Sequence, residues 1–345
     1  MSSTNTTVHN EASPGELIFQ ISMGFIPAIC LNVLARLSVA DHLAQGPKNV
    51  AELARATNSN EDALHRVMRV VCNFGIFKEL DGRQFTQTPG SDLLRTDHPQ
   101  SLRPFVVFFP DPLHFRCYAN LMHSVKTGEP TGKVTFGKDL FEFLEEHPEE
   151  SAIFNAAMVN LTHMFIPAVL EAHDFSETRT LVDVGGGHGS VLASILQKYP
   201  HMKGILFDRD HVIQGAHGYL NSIGVSDRCQ TVPGDFFDTV PAGGDTYIMK
   251  NIIHDWDDER CATLLRNIRT ALKDQDRGKV LLLEIVIVPG GNPLGILADI
   301  EMLALPGGRE RTAEEFRSLF ARAGFRLTRI TPTQSPQSVI EAVPA

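Results

Sequence analysis

A run of apolar residues that empties into glycines constrains this chain more than any other feature. Leu181-Val182-Asp183-Val184-Gly185-Gly186-Gly187-His188-Gly189-Ser190 reads as a buried strand, a tight turn and the start of a helix. Glycines at such a turn admit positive φ and let a ligand approach the backbone, while the helix start offers unpaired N–H groups. Downstream, apolar runs at 204–207, 230–232, 246–249 and 280–288 alternate with amphipathic helical patterns. That alternation predicts a parallel sheet covered on both faces. The last two runs, 326–330 and 338–343, lie too close together for a crossover helix and predict an antiparallel hairpin.

The upstream half reads differently. Residues 1–14 are rich in Ser, Thr and Asn and predict a flexible terminus. Leu17 to Leu43 is too apolar for a surface helix and asks for cover from something larger, a partner subunit being one candidate. A short helix over 50–56, a polar break at 57–60, a helix with Leu64, Val67, Val71 and Phe74 on one stripe, and a hairpin through Asp81-Gly82 together outline a winged helix. Helical patterning continues from 110 to 171. The predicted organisation is a flexible 1–14, a helical winged-helix-containing domain over 15–174 and an α/β domain over 175–345.

Charge limits the partners. The chain carries 31 basic and 41 acidic side chains, a net −10, split as −7 over 1–175 and −3 over 176–345. Residues 50–95 hold six of each sign, whereas a reader of the major groove presents a basic face. A winged-helix DNA-binding regulator is the weaker reading, and no nucleic-acid partner is expected. The first sixteen residues contain no Lys or Arg, and Gly24 and Pro27 interrupt the uncharged run 21–31. We therefore expect no signal peptide, no membrane span and a cytoplasmic location. The five cysteines are scattered without a C-x-x-C pair, which points to free thiols and no zinc site.

Two strand ends complete the picture around the glycines. Asp208 closes the second run, where a carboxylate accepts hydrogen bonds from ribose hydroxyls. Asp235-Phe236 closes the third, where an acid followed by an aromatic suits an adenine amino group and ring face; the alternative for Asp235 is a turn or cap residue. A ribose is common to NAD and to S-adenosylmethionine, so Asp208 leaves both open, and a nicotinamide-dependent oxidoreductase is the rival enzyme reading. Lys250 and His254 follow the fourth run, and Glu284 sits inside the fifth, where a carboxylate needs a specific partner or backbone donors.

Four ordered motifs carry a resemblance. Asp183-Val184-Gly185-Gly186-Gly187-His188-Gly189, Gly234-Asp235-Phe236-Phe237, His254-Asp255-Trp256-Asp257-Asp258-Glu259 and Gly307-Gly308-Arg309-Glu310-Arg311-Thr312 resemble those of S-adenosylmethionine-dependent small-molecule O-methyltransferases of the plant caffeate, acetylserotonin and microbial antibiotic-tailoring type. The likeness spans about residues 15–343. It implies a Rossmann-like methyltransferase domain after a helical dimerisation domain, a homodimer, secondary metabolism, and S-adenosylmethionine turned over to S-adenosylhomocysteine without a metal. Residue by residue, it implies that Gly185, Gly187, Asp208, Asp235, Phe236 and Lys250 bind the cofactor. His254 would be the general base, flanked by Glu284 and Glu310, with Phe154, Met158 and Met302 clamping a small aromatic acceptor. His188, Asn251 and the short segment 302–308 depart from the plant pattern, so lignin-precursor specificity is not implied. N- or C-methylation within the same fold stays open.

Methyl transfer to a phenol needs alignment and removal of a proton whose pKa is near 10. An imidazole held by a carboxylate on its other nitrogen does that work. The alternative for His254 is a strand-end residue satisfied by Asp255 or Asp257. The acidic run 257–259 is explained by capping of the following helix, without a metal.

Overall fold

The computed structural model describes residues 13–272, 278–291 and 293–345. The expected flexible segment 1–14 therefore falls almost wholly outside the described residues. Two compact units part between Asp111 and Pro112. The expected domain border lay at 174, and the helices from 112 to 172 cluster with the α/β unit.

In the first unit the apolar stretch folds as helices Pro14–Met23 and Phe25–Arg36, broken at Gly24. The outer helix buries none of its side chains in this chain; Leu17, Ile18, Phe19 and Ile21 are all more than half exposed. By length and composition alone, 14–36 and a second helix, Pro148–Ala172, are long and apolar enough to cross a bilayer. The expected element order then appears. Strand β1 (Lys48–Asn49) leads into helix Val50–Ala56, capped by a reciprocal Asn49/Glu52 box, and helix Glu61–Cys72, capped by Asn60. Strands β2 (Phe77–Leu80) and β3 (Gln84–Gln87) follow, joined in the antiparallel order β1-β3-β2. The buried stripe differs from the expected one: Leu64, Met68 and Val71 face the core, while Phe74 is 61% exposed. The helix ends at Cys72, so the periodicity that would have carried Phe74 inward stops before reaching it.

The second unit opens with short helices and the long helix Pro148–Ala172, then the sheet. Its strands are β4 (Thr180–Val184), β5 (Lys203–Asp208), β6 (Cys229–Pro233), β7 (Thr246–Lys250), β8 (Lys279–Ile287), β9 (Arg311–Thr312), β10 (Phe325–Pro332) and β11 (Gln337–Pro344). The order is β10-β11-β8-β7-β4-β5-β6, with β9 beside β8. β4 to β8 run parallel; β11 is antiparallel to both β8 and β10, as the closing hairpin requires.

Neighbouring strand residues point to opposite faces, and each face has its own core. Val182, Val184, Met249 and Leu282 pack under helices Asp258–Ala271 and Ala313–Arg322. Leu181, Leu206, Ile248 and Leu283 pack under helices Ser190–Lys198 and Asp210–Ile223. Both faces being covered explains why β4 is almost uniformly apolar rather than alternating. The ends of β4 to β7 converge on one edge, the crevice position of open parallel sheets.

Candidate active site

The turn after β4 is built for close approach. Gly185 and Gly187 have φ of +68° and +59°. A Cβ on Gly185 would meet Ile252 Cδ1 at 2.6 Å, and one on Gly186 would meet the Asp183 carboxyl at 2.6 Å, whereas Gly187 faces open space. The Gly187 N–H donates to Asp208 Oδ2 at 2.7 Å, joining the loop to the end of β5. Burial raises the Asp208 carboxyl above its usual range, against the pull of the Gly187 and Arg209 N–H groups. Asp235 Oδ1 accepts from the Phe237 N–H at 2.8 Å, so it is a turn residue and a cavity residue at once.

One cavity collects these groups. Gly185, Gly187, Asp208, Asp235, Phe236 and Lys250 line it, together with Phe154 and Met158 from helix Pro148–Ala172. Burial drives Lys250 down to about 8, opposed by Glu284, Asp183 and Asp255. Glycines at the backbone, carboxylates at two strand ends and an aromatic face fit an adenosyl group with a ribose diol. Met302 is buried on helix Pro293–Ala304 and does not line the cavity. Neither do His254, Glu284 and Glu310, although Ile252, Asp255 and Trp256, from the same segment as His254, do.

His254 sits in the short 3-10 turn Ile253–Asp255 with 11% of its side chain exposed. Nδ1 is 2.8 Å from Glu310 Oε1 and 3.6 Å from Glu284 Oε2, and Nε2 is 3.6 Å from Asp255 Oδ1. Glu284 Oε1 accepts the N–H groups of Ile252 and Ile253 at 3.0 and 2.9 Å, and Oε2 lies 3.6 Å from the imidazole Nδ1. Burial alone would favour the neutral ring, but Glu284, Asp255 and Glu310 together outweigh it and raise His254 to about 10. Asp255 rises to about 7, through burial first, with His254 pulling the other way.

The loop bearing His254 is clamped from outside the cavity. The Arg309 N–H donates to the His254 carbonyl at 2.8 Å, and the buried Arg311 guanidinium donates to the Ile253 and Trp256 carbonyls, both at 2.9 Å. The acidic run behaves as capping predicts: Asp257 Oδ1 accepts from Glu259 and Arg260, both at 2.9 Å, opening helix Asp258–Ala271. His254, Glu284 and Glu310 also lie close enough together to offer ligand atoms to one cation. Each has an ordinary partner here, in the imidazole or in backbone N–H groups.

Sequence reasoning gave Asp255 no role of its own and passed over Trp256, Phe141 and Arg311. Asp255 and Trp256 lie within the His254 motif and Arg311 within the Glu310 motif, so adjacency was the available signal. Phe141 lines the cavity with its ring 5.5 Å from that of Trp256, a contact across 115 residues of sequence that leaves no local trace.

Comparison with known proteins shows the family to which the chain is similar. Residues 118–326 match the model of an O-methyltransferase domain, and 19–97 match that of an O-methyltransferase dimerisation domain. The chain is 42% identical over 329 residues to a phenazine O-methyltransferase of Lysobacter antibioticus, covering 95% of this chain and 96% of the relative. It is 35% identical to an 8-amino-8-demethylriboflavin N,N-dimethyltransferase of Streptomyces davaonensis, covering 97% of each. Among solved structures it superposes on LaPhzM with a TM-score of 0.93 at 41% identity, covering 97% of this chain and all of that one. It superposes on human N-acetylserotonin methyltransferase in complex with S-adenosylmethionine with a TM-score of 0.89 at 26% identity, covering 98% and 99%.

Proposed function

This chain belongs to the S-adenosylmethionine-dependent O-methyltransferase family, and on that premise we propose that it methylates a hydroxyl on a flat, multi-ring aromatic metabolite of the phenazine kind, with His254 as the base. The observation that supports the reading is the imidazole held at Nδ1 by Glu310, with Nε2 3.6 Å from Asp255, in a segment whose Ile252, Asp255 and Trp256 line the cavity walled by Phe154 and Met158. Family membership displaces the nicotinamide-dependent reading.

In this reading Gly185 and Gly187 bring backbone against the cofactor, Asp208 holds ribose hydroxyls, Asp235 and Phe236 hold the adenine, and Lys250 lines the same pocket. S-adenosylmethionine, when bound, supplies a methyl group on a positively charged sulfur. Phe154 and Met158 press the acceptor flat, a thioether side chain adapting to such rings, while Met302, the third residue of the expected clamp, lies buried outside the cavity lining. His254 takes the hydroxyl proton at Nε2, and Glu310 fixes the tautomer and stabilises the imidazolium, with Glu284 adding charge at Nδ1. Dimerisation through the helices of the first unit, chemistry by the second unit with Phe154 and Met158 supplied by helix Pro148–Ala172, metal independence and a cytoplasmic location complete the proposal.

The test is a mass-spectrometric screen of phenols, phenazines and quinones for gain of one methyl. His254→Ala is expected to lose about 10²- to 10⁴-fold in turnover while keeping its affinity for S-adenosylhomocysteine. Wild-type turnover by that variant on the true acceptor removes His254 as the base. The riboflavin-type relative, whose name specifies an amine acceptor, favours a second reading: methylation of an aromatic amine, which the same screen detects.

A further inference from the structure

Asn251, one of the departures from the plant pattern, lies between Lys250 and the His254 turn. Among the described residues, four that are not glycine have positive φ, and of these Asn251, at +54°, alone lines the cavity. The buried Gln337, on β11, donates from Nε2 to Asn251 Oδ1 at 2.6 Å, and the Asn251 N–H donates to the Leu283 carbonyl on β8 at 3.2 Å.

A left-handed backbone is unfavourable for a residue with a Cβ, asparagine tolerating it better than most. The conformation has a local consequence. Ile252, next in sequence, has φ −116° and ψ −48°, and a left-handed residue followed by a right-handed one turns successive N–H groups towards one point, a nest for an anion. That point is occupied: the Ile252 and Ile253 N–H groups donate to the same oxygen, Oε1 of Glu284, at 3.0 and 2.9 Å. The other oxygen lies 3.6 Å from His254 Nδ1. Burial pushes the Glu284 carboxyl up, and His254 and the two nest donors pull it down. An extended residue at 251 would part those donors, and the fully buried Glu284 would lose them.

We propose that Asn251, pinned by Gln337, is a positioning residue for His254: its left-handed backbone forms the N–H nest that seats Glu284 beside the imidazole. This rests on the reading of His254 as the base. Asparagine combines two things that the site uses, tolerance of positive φ and an amide for Gln337. A residue that mattered only as cavity lining would act through its amide alone, which alanine and glycine lack equally.

The experiment titrates the His254 ring by NMR in the free protein, its signal assigned by its absence from His254→Ala. Burial favours the neutral ring, and Glu284, Asp255 and Glu310, which face it, raise it. N251A disfavours positive φ, so it is expected to unseat Glu284 and move the His254 midpoint down by about 1 to 2 on the pH scale. N251G loses the same amide but adopts positive φ freely, and its midpoint is expected to stay nearer wild type. Q337M removes the pin from outside the cavity lining, with an intermediate drop expected. Urea midpoints and S-adenosylhomocysteine affinity are measured on each variant; a merely structural role would lower the urea midpoints without ordering the His254 midpoints in this way. Equal His254 midpoints for N251A and N251G, or no movement in either N251A or Q337M, overturns the proposal. If His254→Ala loses turnover while that order is missing, only this proposal falls; if His254→Ala keeps wild-type turnover on the true acceptor, the base reading falls and takes the role of Asn251 with it.

Discussion

A base has to be neutral before it can accept a proton, and the cage around His254 works against that. With the imidazole raised to about 10 by the surrounding carboxylates, it is mostly protonated at pH 7. The sign follows directly: the group is protonated below its raised pKa, so the available base grows about tenfold per pH unit until pH approaches 10. A positive charge brought into the cavity opposes the three carboxylates and lowers that pKa. NMR titration of the His254 ring is therefore expected to show an imidazolium through neutrality in the free protein. Its pKa should fall when S-adenosylmethionine binds and fall less with the uncharged thioether of S-adenosylhomocysteine; equal shifts with both break the electrostatic account. Glu310→Gln keeps an acceptor at Nδ1 but removes a charge, so the His254 pKa is expected to fall and the rise of turnover with pH to set in at lower pH, with cofactor affinity intact. The cation reading of the same three residues is checked by chelation: exhaustive treatment with EDTA is expected to leave the methylation rate unchanged.

At the scale of elements, the His254 turn is held by the segment containing Gly308 and Arg311. A Cβ on Gly308 would sit 1.9 Å from the His254 carbonyl oxygen, so the two segments touch backbone to backbone. Gly308→Ala has to push the turn away, and turnover is expected to fall much further than affinity for S-adenosylhomocysteine, measured by calorimetry. Arg311→Met leaves the Ile253 and Trp256 carbonyls without their donor. The expected cost is about 3 kcal/mol, by analogy with unpaired buried polar groups, read as a lower urea midpoint. Apolar runs followed by Gly or Asp made β4 to β8 and the closing hairpin legible, because a strand buried on both faces is apolar throughout. Glycines and acids at strand ends were legible for the same reason, since sequence order alone brings those ends to one edge. What could not be read was contact across the fold. Nothing local tells Arg311 from a surface arginine, ties Tyr118 to Glu301 across 183 residues, or shows that helix Glu61–Cys72 ends before Phe74.

The whole molecule leaves an apolar surface that one copy of the chain does not cover. Leu17, Ile18, Phe19, Ile21, Met23 and Phe25 are 42% to 72% exposed along two consecutive helices, a larger stripe than soluble monomers usually show. A bilayer and a second copy of the chain both supply apolar cover, and length does not choose between them. Sequence placement does: residues from 19 onward fall within the dimerisation-domain match. A second copy is thus the expected cover. Phe19→Glu with Ile21→Glu places two charges where apolar side chains would meet, so sedimentation equilibrium is expected to show the wild type as a dimer and the double variant as a monomer, both without detergent. A wild type that is monomeric in buffer, or that partitions into lipid vesicles in a flotation assay, transfers this stripe from the subunit interface to the membrane.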